Sequence, residues 1–138
     1  MTPNEARFSH IANIFVGGTG LIWLWMRYLL EPEDEFALIN HPWEPMTEKI
    51  HLITAPLLVF AIGIIWRTHV INKIEQRSSL RRKSGSILCG LFFPMTISAY
   101  CLQTAQDEFA RNFWLVTHLA TGVLWIGFYL GHQLLKKA

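Results

Sequence analysis

THLATGVLWIGFYLGH, residues 117–132, decides how this chain is read. The stretch is almost wholly apolar, yet it is bounded by two histidines, His118 and His132. An ionisable side chain in an apolar helix that could cross a membrane is uncommon and points to function. Their spacing of 14 residues falls about 40° short of four full turns at ~100° per residue. Both imidazoles therefore share nearly one helix face, about 21 Å apart along the axis at ~1.5 Å per residue.

Three further apolar stretches lie upstream. They run from about Ile11 to Leu30, from Ile50 to Trp66 and from Ile87 to Leu102, and the fourth runs from Phe113 to about Leu135. Each approaches the ~20 residues that cross the ~30 Å hydrocarbon core. Strands of this length would leave open sheet edges in lipid, so helices are expected. A soluble bundle needs a polar face on each helix, and LIWLWM and APLLVFAIGIIW have none. The first stretch is too long for a signal peptide and is followed by EPEDEF rather than a small-residue cleavage site. The fold class expected is all-α, an integral membrane four-helix bundle forming a single domain over residues 1–138. Pro94 should kink the third helix.

Composition agrees. The chain of 138 residues is 51% hydrophobic and only 16% charged, against about 25% charged for an average soluble domain. A net charge of +2 gives no reason to expect nucleic-acid binding. Lipid is the first partner implied. Arg67, Lys73, Arg77, Arg81, Arg82 and Lys83 crowd the second loop, and Lys136 and Lys137 end the chain. The first and third loops are acidic. Basic loops stay on the cytoplasmic side, so both termini are expected there.

The remaining histidines fall at matching depths. His51 starts the second helix at the outer level of His118, and His10 starts the first at the inner level of His132. Two imidazoles facing across a bundle can ligate a haem iron from both sides. The pairs His51 with His118 and His10 with His132 therefore imply two haems. His69 is an alternative inner ligand, since it lies 18 residues, five whole turns, beyond His51. His41 is read as a solvated loop residue. Met95 is read as packing, because no histidine shares its depth. Gly17, Gly18 and Gly20 in the first helix and Gly122, Gly127 and Gly131 in the fourth are candidates for close approach of backbone to a porphyrin; glycines that pack helices together in lipid are the alternative. Cys89 and Cys101 stand about 18 Å apart on one helix and cannot bridge each other. No Cys-x-x-Cys-His is present, so the haems should be non-covalent b-type. Arg27, Lys49 and Arg111 at the outer level, and Arg7, Arg67 and Lys136 at the inner, are candidate partners for haem propionates.

This order and spacing of His10, His51, His118 and His132 resembles the small bacterial di-haem membrane cytochromes of the cytochrome b561 type. The resemblance covers nearly the whole chain, and the third helix, which has no histidine here, supplies no ligand in that family. It implies a bacterial inner-membrane protein of the respiratory chain that transfers electrons through two haem b groups and exchanges them with quinone. Three functions stay open: the membrane subunit of a larger redox complex or homo-oligomer, a free-standing oxidoreductase acting on a small species and quinone, and a non-redox structural subunit. The outer loop, Glu31 to Lys49, carries Glu31, Glu33, Asp34, Glu35, Glu44 and Glu48. It also holds His41-Pro42-Trp43 and Pro45, which should stiffen it. Such a surface could steer a cytochrome c or another basic redox protein at the periplasmic face.

Overall fold

A computed structural model describes residues 1–32, 34, 36–75 and 81–134, without the side chains of Arg81 and Arg82. Glu33, Glu35, Arg77, Lys136 and Lys137, used above in the charge argument, lie outside the described residues. Within them the chain is helical and contains no strand. The long helices are α1 (Pro3–Tyr28), α2 (Glu44–Ile65), α4 (Arg81–Thr104) and α5 (Glu108–Leu134), with a short α3 (Asn72–Glu75). A π-helical turn, Trp66–Ile71, follows α2.

Polar caps start the helices earlier than the apolar stretches do. Thr2 and Glu5 form a capping box: Thr2 Oγ1 accepts from Glu5 N, and Glu5 Oε2 accepts from Thr2 N at 2.7 Å. Pro45 sits in the first turn of α2, where a missing N–H costs nothing. Asp107 Oδ2 accepts from Ala110 N at 2.8 Å and starts α5.

The chain divides into two compact units, Met1–Trp66 and Arg67–Ala138. The first is a hairpin of α1 on α2. Phe8 meets Phe60, His51 meets Val16, and Thr47 meets Met26, so the two helices run antiparallel. Its buried apolar residues are Ala12, Val16 and Met26 on α1 and Leu58, Ala61, Ile62 and Ile65 on α2. The second unit is a hairpin of α4 on α5, also antiparallel: Ser84 meets His132, Phe92 meets Trp125, and Met95 meets His118. Leu88, Phe92, Met95 and Ser98 follow one another at helical spacing along its buried stripe. α4 continues through Pro94, with Gly90 O left without the usual intrahelical donor.

Three helical stretches, Glu44–Glu75, Lys83–Thr104 and Glu108–Leu134, are long and apolar enough to cross a membrane. Large side chains such as Ile53 (77%), Val116 (66%) and Phe60 (63%) stay exposed. Faces of that kind suit lipid and are rare on proteins in water. α1, expected as a fourth span, is not among the three. Asn13, Thr19 and its glycine run dilute its apolar character, and two of those residues serve a histidine described below.

Candidate functional site: seats for three histidines

His51 projects from α2 onto α1. Its Nδ1 lies 3.2 Å from the Val16 carbonyl and 3.2 Å from Thr19 Oγ1. A carbonyl can only accept, so Nδ1 carries the proton and donates. Thr19 Oγ1 itself donates to backbone oxygens, Phe15 O at 2.9 Å and Val16 O at 3.0 Å. Its lone pairs are therefore turned to His51. Gly20 forms the floor: a Cβ there would come within 2.9 Å of His51 Cε1. The Trp23 ring closes one side, with centroids 6.0 Å apart. Val16, Thr19, Gly20 and Trp23 fall at i, i+3, i+4 and i+7, one face of α1.

His118 on α5 repeats this arrangement against α4. Its Nδ1 lies 3.1 Å from the Met95 carbonyl and 3.5 Å from Ser98 Oγ. Ser98, wholly buried, donates to the same Met95 carbonyl at 3.0 Å. In both seats a hydroxyl residue and an imidazole share the carbonyl three residues before the hydroxyl. Met95 thus stands at the level of His118, which corrects the expectation that no histidine shares its depth; the contact runs through its backbone oxygen.

His132, also on α5, meets Ser84 Oγ at 2.8 Å through Nδ1. Its Cε1 lies 3.6 Å from where a Cβ on Gly85 would be. A hydroxyl can donate or accept, so this contact does not fix the tautomer as a carbonyl does. His10 sits half-buried on α1 beside buried Ser9 and Asn13, where Asn13 Nδ2 donates to Ser9 O at 2.8 Å. His69 lies in the π-helical turn. The wider turn breaks the α-helical phase, so counting five whole turns from His51 does not carry through Trp66. His41, expected as solvated, is half-buried; its Nδ1 accepts from Trp43 N at 3.1 Å and shapes the turn into α2.

A polar clasp closes the far end of the first hairpin. Arg27 Nη1 donates to Glu44 Oε1 at 3.0 Å, and Asn40 N donates to Glu44 Oε2 at 3.0 Å. Asn40 Nδ2 returns a bond to the Arg27 carbonyl at 2.8 Å. Glu44 is 4% exposed, so this carboxylate, counted above with the acidic loop, faces inward. Arg7, Lys49, Arg67 and Arg111 have exposed side chains.

The close backbone approach lies at Gly20, while a Cβ on Gly18 or Gly122 would meet nothing within 4 Å. Sequence reasoning passed over the seats themselves. Their signal is a hydroxyl residue followed by a small one inside an apolar helix: Thr19-Gly20, Ser84-Gly85 and Ser98-Ala99. Among the described residues no group of three or more His, Cys, Asp or Glu could hold a metal ion. No family model, curated protein or solved structure matches the chain.

Proposed function

We propose that this protein transfers electrons across a membrane through two non-covalent b-type haems. His51 with His118, and His10 with His132, are their axial ligands, and quinone is one exchange partner. One observation carries the reading: three of these four histidines are held by Nδ1 against a neighbouring helix. An iron-ligating histidine needs this anchoring, because the bond at one ring nitrogen fixes the ring and raises the basicity of the other. Where Nδ1 donates, as in His51 and His118, the neutral ring keeps its lone pair on Nε2, the form that binds iron. The chemistry of His51 and His118 suits the group, His132 is anchored without a fixed tautomer, and His10 enters by its position in the sequence alone. Bound haem would supply reversible one-electron exchange at its iron. The chain's own part is to orient the imidazoles, set their basicity and surround them with apolar helices that keep water away.

The proposal extends to the setting. Both termini face the cytoplasm of a bacterial inner membrane, and the chain serves as the membrane subunit of a redox complex. A basic partner such as a cytochrome c docks on the acidic first loop, excluding Glu44, whose carboxylate is occupied by Arg27 and Asn40. The test is a pyridine haemochrome assay on the chain purified from membranes. Two haems b per chain are expected; one would remove one histidine pair, and none would end the reading.

A further inference from the structure

The Trp23 indole nitrogen is buried and has no hydrogen-bond partner among the described residues. A buried donor left unsatisfied is costly, about 1–3 kcal/mol, and is uncommon in a settled interior. This one belongs to the ring that flanks His51, at 6.0 Å between centroids. Its helix face also carries Val16 and Thr19, which hold the imidazole. A donor with no acceptor, beside a ring anchored as a ligand, marks a place where a bound group brings an acceptor atom.

Charge alone would give that acceptor to Arg27, one turn further along the same face. The structure commits Arg27 elsewhere. Its Nη1 donates to Glu44 at 3.0 Å, and the Leu38 carbonyl lies 3.4 Å away. Turning the guanidinium to a new anion would strip a buried carboxylate of its counter-charge, which is strongly unfavourable. Trp23 has no such commitment.

We infer that Trp23 donates its indole N–H to a carboxylate of the haem that His51 ligates, a role distinct from the Arg27–Glu44 clasp. The assignment rests on the haem reading above. An indole N–H can donate and cannot accept, so it selects an anionic or carbonyl oxygen. The donor partly offsets the carboxylate's charge near the iron and helps retain the haem.

The experiment uses the full chain purified with its haem. Trp23→Phe keeps a ring beside His51 and removes the N–H. Three changes are expected: the propionate bending band in resonance Raman moves, one haem potential falls because an unmet carboxylate favours ferric iron, and haem is lost from that level about tenfold faster, roughly one charge-assisted hydrogen bond. Wild-type protein equilibrated in D2O should show a small isotope shift of the same band, a readout that needs no substitution. Haem-loaded Trp23→Phe with band, potential and haem loss unchanged would overturn the assignment and leave the haem reading standing. Those changes in Arg27→Gln with none in Trp23→Phe would overturn it in favour of Arg27. A wild-type chain without haem would overturn both.

Discussion

The hairpins α1–α2 and α4–α5 hold a histidine in the same way with different margins. In each, an imidazole Nδ1 donates to a carbonyl that a hydroxyl three residues later also uses: Val16 with Thr19, and Met95 with Ser98. The first hairpin adds steric closure. Gly20 lies directly beneath His51, and the Trp23 ring stands at its side. In the second, Ala99 follows the hydroxyl residue, so His118 is held without a glycine floor. The second hairpin also seats another histidine, His132, on a serine hydroxyl with more room around it. Shared hydrogen bonding with unequal steric closure means that orientation is the common requirement, while clearance can vary from seat to seat.

The largest effects are expected at the imidazoles. On the proposed ligation, His118→Ala and His51→Ala should each cost the same haem, while His132→Ala should cost the other. Haem stoichiometry would fall from two to one in every case, with different bands lost in the reduced spectrum. If His51→Ala and His118→Ala removed different bands, the two seats would not serve one haem.

Glycine substitution separates the seats by clearance. Alanine in place of glycine within a helix normally gains up to about 1 kcal/mol. At Gly20 the new Cβ would stand 2.9 Å from His51 Cε1, a distance real Cβ atoms essentially never reach. Gly20→Ala should therefore displace the ring and lose haem at that level. At Gly85 the distance to His132 Cε1 is 3.6 Å, ordinary contact. Gly85→Ala should keep both haems and melt no lower than wild type. Equal tolerance at the two glycines would show that the His51 ring can move aside.

The clasp of Arg27, Asn40 and Glu44 belongs to the first hairpin. Among the described residues, Arg27→Gln leaves the buried Glu44 carboxylate with the Asn40 amide. A loss of about 2 kcal/mol is expected, the scale of a hydrogen bond to a charged group. Thermal or denaturant unfolding in detergent would measure it. Glu44→Gln together with Arg27→Gln should recover part of the loss, because no buried charge is then left uncompensated.

What could be read from residue order alone follows from the range of the forces involved. Helical character and membrane-scale apolar length depend on local composition, and α2, α4 and α5 were legible for that reason. The common face of His118 and His132 follows from one unbroken helix, Glu108–Leu134. The same count failed from His51 to His69, because the π-helical turn at Trp66–Ile71 changes the phase and has no composition signal here. The seats depend on the register between two helices, which spacing within one helix does not encode. The residue type of Met95 speaks to its side chain, whereas its backbone carbonyl makes the contact with His118. Gly18, Gly20 and Gly122 look alike as letters; only the opposing helix distinguishes Gly20. Arg27 and Glu44 pair across the intervening loop for the same reason.

The smallest expected effect tests whether the two seats act electronically as well as sterically. Thr19→Val keeps the shape beside His51 and removes an oxygen 3.2 Å from Nδ1; Ser98→Ala removes one 3.5 Å from His118 Nδ1. In both variants the carbonyl remains, so the ring keeps its orientation and stability should change by no more than about 1 kcal/mol. The imidazole loses part of its acceptor field and becomes a weaker electron donor to iron, which favours the ferrous state. A rise in haem potential is expected in both, larger for Thr19→Val, because its oxygen is closer to the ring nitrogen. A redox titration followed at the reduced alpha band measures each shift. A larger rise for Ser98→Ala would reverse the order and place the stronger acceptor in the second hairpin. No rise in either variant would reduce the hydroxyls to packing and leave the anchoring of the two rings to the carbonyls of Val16 and Met95.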